Sequence, residues 1–152
     1  MNRLILMAGS TRREGWKTLD CKGSVDYLAT VPPLPDAVKA IRWDEIELIH
    51  GISQLYPWDA ETLLREIRGV MTPGGLLVLE QPNFNALLLR PSRPVEWFFG
   101  DPTFKDPSHM VRWAYEPATL SELLSKCGFH NQELLPAQYH VPDRDFRIEA
   151  RV

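Results

Sequence analysis

The sequence predicts a single α/β domain built around a mostly parallel sheet. Two observations carry that prediction: an amphipathic helical segment runs directly into a Pro-Gly-Gly turn, and an apolar strand ending in polar residues follows the turn. The turn and strand together span Met71 to Asn83. Such a unit is typical of parallel sheets, in which ligands bind at the carboxyl ends of the strands. With 152 residues the chain can bury one core but not two, so residues 1–152 should form one domain.

The first half of the chain offers four more short strands. They are predicted at residues 3–8, 17–20, 24–28 and 45–50. Prolines at positions 32, 33 and 35 bar regular pairing, so this stretch should cross the sheet surface as a loop. One or two helical turns are expected over residues 36–42, between that loop and the central strand.

The helix before the Pro-Gly-Gly turn has the clearest pattern. Asp59 can cap its N-terminus by accepting hydrogen bonds from free backbone amides. Apolar side chains then recur at helical spacing and predict a stripe against the sheet: Leu63, Leu64, Ile67, Val70 and Met71. Gly74 and Gly75 supply the left-handed backbone that the turn into the strand requires.

The second half of the chain contains a long irregular insertion. Residues 85–113 are rich in proline and aromatic side chains and lack clean periodicity, so we expect an excursion over the face with the strand ends. Aromatic residues between Trp97 and Tyr115 could form a lid or the contact of a homodimer. A helix opened by Pro117 and ended by Gly128, then strands at 132–136 and 146–152, completes the prediction.

Composition and charge exclude several classes of protein. The net charge is −3 and the basic residues are scattered, which argues against nucleic acid as the main partner. No apolar run reaches the roughly 18 residues of a membrane span, so no membrane partner is expected. Cys21 and Cys127 indicate reduced thiols in a cytoplasmic protein. The four histidines lack ligand-like spacing, and no metal is predicted.

Polar residues at the predicted strand ends are the candidate functional residues. Asp20 closes the second strand, although an acid there is often only a turn residue. His50 closes the central strand and is the candidate general base, since imidazole titrates near neutral pH, or else a satisfied, partly buried histidine. The candidates for substrate contacts are Asn83, Tyr139 and His140, of which the last two also suit an ordinary polar hairpin together with Asp143.

The ordered set of motifs resembles a small class I S-adenosylmethionine-dependent methyltransferase, of a group predicted in bacteria. The likeness lies in Gly15–Asp20, Leu63–Asn83, and Trp113–Phe129 with Arg144–Ala150. The resemblance implies a Rossmann-like α/β fold with few helices, a sheet in the order 3-2-1-4-5-7-6 and an antiparallel last strand. It also implies S-adenosylmethionine as cofactor, and methyl transfer to an O or N acceptor that is a small molecule or a saccharide.

The resemblance also assigns residues by position. Those implied to bind the cofactor are Ala8, Gly9, Ser10, Asp20, Ala29, Thr30 and His50. Among them, Asp20 would accept hydrogen bonds from the two ribose hydroxyls, Ala29 and Thr30 would lie at the adenine edge, and His50 would face the sulfonium.

Several positions depart from the family pattern. Met7 stands where a Gly-x-Gly turn has its first glycine, either as the last core residue of the strand or in the space of the cofactor's amino-acid end. Thr30 replaces an acid at the adenine amine, and Ser53 and Gln54 replace an acid and a histidine. The first two strands also lie too close in sequence for the usual helix between them. These departures favour a second hypothesis, a methyltransferase-like binding or structural subunit that has lost its cofactor and activity.

Overall fold

A seven-stranded sheet organises the protein, in a computed structural model that describes residues 1–89 and 95–152. The strands are β1 (Arg3–Leu6), β2 (Lys17–Asp20), β3 (Tyr27–Leu28), β4 (Trp43–Ile49), β5 (Met71–Pro82), β6 (His130–Pro136) and β7 (Asp145–Arg151). Their order is β3-β2-β1-β4-β5-β7-β6. Neighbours from β3 to β5 pair parallel, whereas β7 is antiparallel to both β5 and β6. The predicted order and the antiparallel last strand are confirmed.

One face of the sheet carries the hydrophobic core. Three helices belong to the connections over that face: α1 (Asp36–Lys39), α2 (Pro57–Val70) and α5 (Pro117–Lys126). The stripe predicted for α2 is buried as expected, and α5 contributes Leu120 and Leu124 to the same cluster. Because each buried leucine contributes roughly 1.5–3 kcal/mol, this layer provides most of the favourable burial.

The predicted cap of α2 is wrong. The helix begins at Pro57 and its N-cap residue is Tyr56, so Asp59 lies within the first turn and caps nothing. Proline suits the first helical position because the amide it lacks would have no partner there. The Asp59 carboxylate still lies near the positive end of the helix dipole.

The opposite face of the sheet holds charged side chains beside the buried Ile5 and Val78, and it carries no helix from the described residues. Side chains alternate along each strand, so Glu47 and Arg147 point away from the core face that holds their neighbours Leu48 and Ile148. Arg13, from the loop between β1 and β2, pairs with the buried Glu47. The short β1–β2 connection is a loop, as expected, and its side chains cover part of this face.

The insertion is more ordered than predicted. It contains α3 (Phe84–Leu89), α4 (Glu96–Phe99) and two single 3-10 turns, Pro102–Phe104 and Pro107–His109. The proline-rich part of the predicted excursion, residues 90–94, lies outside the described residues.

The third strand is shorter than predicted, at Tyr27–Leu28. No helix within the described ranges is long and apolar enough to cross a membrane.

The Pro-Gly-Gly segment lies inside β5 and not before it. Pairing with β4 jumps from Trp43–Met71 to Glu45–Leu76, so the extra residues of β5 form a bulge. Gly74 takes the predicted left-handed backbone, with φ 75°, and its amide donates to the carbonyl of Val152. The same prediction is wrong for Gly75, whose φ is not positive. The bulge therefore joins the start of β5 to the end of β7.

Candidate functional site

A cleft of about 540 Å³ opens at the carboxyl ends of β1, β2 and β3. Most of the residues predicted to bind a cofactor line it: Gly9, Ser10, Asp20, Ala29 and Thr30. The other two, Ala8 and His50, are not among its lining residues. The fold thus gathers the turn after β1, the end of β2 and the segment after β3, whereas binding by these residues stays a prediction.

Asp20 organises the inner wall of this cleft. Asp20 is only 8% exposed, and its Oδ2 accepts a hydrogen bond of 2.8 Å from the amide of Gly9. The backbone amide of Ala29 donates to the Asp20 carbonyl at 2.9 Å. Asp20 therefore fixes both neighbouring turns, and its carboxylate retains capacity for further hydrogen bonds because two oxygens can accept about four.

Met7 takes a left-handed backbone that glycine adopts readily. Its φ is 53°, a left-handed conformation that costs a non-glycine residue about 1–2 kcal/mol. Met7 follows the end of β1, packs in part against the core and also lines the cleft. A Cβ added at Gly51 would lie 2.9 Å from the Met7 sulfur. The thioether therefore occupies part of the wall near the end of β4, where a glycine would leave space.

A second wall of the cleft comes from the insertion, through a segment that we call the strap (residues 101–112). Its residues Phe104, Ser108, His109 and Arg112 line the cleft. The Lys22 ammonium pairs with the Asp106 carboxylate and lies 3.0 Å from Nε2 of His109. Lys22 holds the pKa of Asp106 well below its usual range. The sequence predicts that this segment crosses the face with the strand ends, but it does not predict the contact with Lys22.

A histidine cluster lies at the ends of β4 and β7, next to the cleft. His50 Nε2 is 2.6 Å from Oδ2 of Asp145, and the rings of His50 and His140 stack with centroids 3.7 Å apart. The Arg144 guanidinium contacts both oxygens of the Asp145 carboxylate, whose side chain has no exposed surface. These four residues, His50, His140, Arg144 and Asp145, define the cluster.

The charges in the cluster are set by burial and by hydrogen bonds. Burial alone would raise the pKa of Asp145, but hydrogen bonds from Arg144 and His50 outweigh it and lower that pKa. Burial lowers the pKa of His140, and the adjacent His50 ring lowers it further. Asp145 is therefore held as a carboxylate and His140 is favoured in its neutral form.

Glu80 anchors the loop that carries His140. This residue is fully buried at the end of β5, and its carboxylate accepts from the amides of Gln138, Tyr139 and His140 at 2.8, 2.8 and 3.0 Å. The strand end was expected to point polar groups toward a site. That Glu80 binds three successive backbone amides was not foreseen, because the pattern depends on a loop almost sixty residues away.

The three residues predicted to contact substrate lie in different parts of the structure. His140 reaches the cluster, whereas the Tyr139 hydroxyl lies 3.2 Å from Oε1 of Glu47 on the helix-free face. The Asn83 side chain accepts from the amide of Asn85 at the start of α3. The acid that reaches His50 is Asp145.

Three members of the cluster could in principle offer ligands to a metal. Atoms of His50, His140 and Asp145 lie within 4.8 Å of one another, a proximity that their spacing in the sequence does not indicate. However, the two rings stack with an interplanar angle of 19°, so a single ion cannot lie in both ring planes, as imidazole ligation requires. Arg144 also already neutralises Asp145. The arrangement fits a hydrogen-bonded cluster better than a metal centre.

Several solved methyltransferases have a similar fold. A SAM-dependent methyltransferase from Archaeoglobus fulgidus superposes with a TM-score of 0.63 and 15% identity, over 99% of this chain and 86% of that one. A possible histamine N-methyltransferase from Thermotoga maritima gives 0.66 and 13%, over 99% and 81%. The CcbJ methyltransferase from Streptomyces caelestis gives 0.71 and 15%, over 99% and 88%.

The chain therefore has the class I S-adenosylmethionine-dependent methyltransferase fold. This likeness is one of structure, since the identities lie between 13% and 15%. No protein-family model matches the chain, and no curated protein matches its sequence.

Proposed function

We propose that the protein is an S-adenosylmethionine-dependent methyltransferase that acts on a small-molecule or saccharide O or N acceptor. The observation that carries this proposal is the position of Asp20. Its buried carboxylate lies at the carboxyl end of β2, in a cleft that also holds the turn after β1 and the segment after β3. That is where the resemblance expects a ribose to bind.

The chain's own residues fit the cofactor. The cleft volume of about 540 Å³ falls within the range of about 300–1,000 Å³ that ligand pockets occupy. Asp20 would hold the ribose, Ala29 and Thr30 the adenine edge, and Gly9 with Ser10 the turn beside the methionine part. When bound, the cofactor supplies a methyl group already activated on a sulfonium, so the protein contributes mainly position.

The description of one structural neighbour bears on the acceptor. The Thermotoga maritima structure is described as a possible histamine N-methyltransferase, which favours a small molecule. His50, at the end of β4 and beside the cleft, is the candidate base for an acceptor that must lose a proton.

Met7 favours a second candidate function, a subunit with this fold that has lost its cofactor. Its side chain lines the cleft and would contact any Cβ at Gly51, so it narrows the region where the amino-acid end of the cofactor is expected. In that case the protein would act through a protein partner and would bind no S-adenosylmethionine.

Calorimetric titration with S-adenosylmethionine and S-adenosylhomocysteine separates the two candidates. We expect saturable binding to the wild type, and at about 100 times the dissociation constant a stabilisation of roughly 2.7 kcal/mol in thermal unfolding. Asp20→Ala should lose this binding while remaining folded by circular dichroism. Asp36→Ala, an exposed acid on α1, is the matched control and should bind like the wild type. A wild type that fails to bind either ligand at millimolar concentration would overturn the methyltransferase proposal.

A further inference from the structure

We infer that His50 and Asp145 form a proton-accepting pair, and that the methyl acceptor is therefore a hydroxyl compound. This inference rests on the proposed function and narrows it. It assigns the catalytic contact to His50 and a positioning role to Asp145, a residue with no counterpart among the sequence-derived candidates.

The location of His50 suits a residue that meets an acceptor. It follows directly on β4, at the same sheet edge as the cleft, and its amide donates to the Glu80 carbonyl at 2.7 Å. Its φ of 57° is a left-handed conformation in a non-glycine residue. Such conformations persist only where the surroundings impose them, and they concentrate at functional sites. Here the Glu80 carbonyl binds the His50 amide, and the Asp145 carboxylate binds its ring.

The hydrogen bonds decide which ring nitrogen can accept a proton. Asp145 is an ionised carboxylate and can only accept, so the neutral His50 ring carries its hydrogen on Nε2 and its lone pair on Nδ1. No described residue hydrogen-bonds to Nδ1. The His50 side chain is 25% exposed, so a small acceptor can reach it.

The charged groups around His50 come from three elements. Asp145 and Arg144 lie at the start of β7 and form an ion pair, while His140 stacks on His50 from the preceding loop. Glu80 at the end of β5 contacts that same loop, and the Arg147 guanidinium lies 4.0 Å from the Glu80 carboxylate. Arg144 offsets one carboxylate charge and Arg147 faces the other. A proton taken up at Nδ1 is thus stabilised through the direct bond from Nε2 to Asp145.

The chemistry of methyl transfer connects this pair to a hydroxyl. The acceptor oxygen forms its new bond to the methyl carbon as the carbon–sulfur bond breaks, its electron pair going to sulfur, and the hydroxyl proton passes to Nδ1 of His50. A neutral amine already has a nucleophilic lone pair and can lose its proton afterwards. A hydroxyl becomes a good nucleophile only as its proton leaves, and a positioned base there contributes typically 10²–10⁴-fold.

The test combines a structural and a functional measurement on the full chain. Nitrogen-15 NMR of the histidine rings should show His50 protonated at Nε2 in the wild type, and a changed tautomer distribution in Asp145→Asn. Methyl transfer from S-adenosylmethionine is then measured with hydroxyl probes (catechol, 4-methylphenol, methyl glucoside) and with benzylamine as the amine probe. We expect methylation of a hydroxyl probe and none of benzylamine.

The variants separate the pair from a merely structural role. His50→Gln and Asp145→Asn should lower kcat for the hydroxyl probe by about 10²–10⁴-fold. Asp145→Asn should bind S-adenosylhomocysteine like the wild type, and His130→Gln, an exposed histidine on β6, should behave as the wild type throughout. If the wild type binds S-adenosylhomocysteine yet methylates no hydroxyl probe, or prefers benzylamine, the inference is overturned. Unchanged kcat in both variants also overturns it, whereas absence of all cofactor binding overturns the proposed function instead.

Discussion

The cleft and the histidine cluster lie at the same edge of one sheet, but the sequence builds them in different ways. In the cleft, the bond from the Gly9 amide to Asp20 joins residues 11 positions apart. In the cluster, the contact between His50 and Asp145 joins residues 95 positions apart. The cleft is therefore built from turns that are close in sequence, whereas the cluster forms only once β5 and β7 have paired.

The two regions also differ in what their polar groups do. The cleft is open, and Asp20 keeps hydrogen-bonding capacity for a ligand. In the cluster, the Asp145 and Glu80 carboxylates are both fully buried and are satisfied by protein groups. We therefore expect substitutions in the cleft to change affinity, and substitutions around the cluster to change stability or turnover.

The largest expected effect is the loss of Glu80. In Glu80→Ala, three backbone amides lose their acceptor and the buried Arg147 loses a carboxylate 4.0 Å away, and the loss of one partner of a buried pair typically costs about 3–5 kcal/mol of unfolding free energy. Urea unfolding followed by circular dichroism measures the change. Glu133→Ala, an exposed acid on β6, should stay within about 0.5 kcal/mol of the wild type. If both variants lose the same small amount, the anchor role of Glu80 is contradicted.

The same contrast explains which features of the fold and the site can be predicted from the sequence. The sheet order, the apolar stripe of α2 and the lining residues around Asp20 follow from local patterns and from the family resemblance, because each lies within one element or between adjacent elements. Asp145 was missed since only the antiparallel register, which pairs it with Pro82, brings it beside the end of β4. The excursion that contains the strap was predicted, but its contact with the cleft wall was not, because the conformation of a proline-rich insertion is set by side-chain contacts such as Lys22 with Asp106. Asp59 failed as a cap because Pro57 can begin a helix unaided.

Substitution of Met7 tests whether the cleft binds the cofactor. Met7→Gly removes the thioether from the wall and also the cost of the left-handed backbone. We expect S-adenosylhomocysteine to bind about tenfold more tightly by calorimetry, which corresponds to about 1.4 kcal/mol. The stability should change little, because relief of backbone strain offsets lost packing and the extra entropy of the unfolded glycine chain.

Met7→Ala is the matched variant for that measurement. It opens the same space but keeps the left-handed penalty, so it should show the gain in affinity together with a lower stability. Weaker binding in both variants would mean that the thioether contacts the ligand and does not obstruct it. Binding that appears only in Met7→Gly and Met7→Ala would favour the subunit that has lost its cofactor.

The smallest expected effect concerns the pH dependence of stability at the cluster. Burial and the neighbouring His50 lower the pKa of His140 in the folded protein, so below about pH 6.5 the unfolded chain binds this proton more readily than the folded one. The contribution of His140 to stability is therefore fully present above that pH and is lost as the pH falls toward the folded pKa. His140→Gln removes the titrating group, so the unfolding free energy of the variant should fall less steeply than that of the wild type between about pH 7 and pH 5. His130→Gln should keep the wild-type slope, since its side chain is exposed and outside the cluster. Equal slopes in the wild type and His140→Gln would show that the ring stacked on His50 is as easily protonated in the folded chain as in the unfolded one, and that the electrostatic distinction between the two regions does not extend to His140.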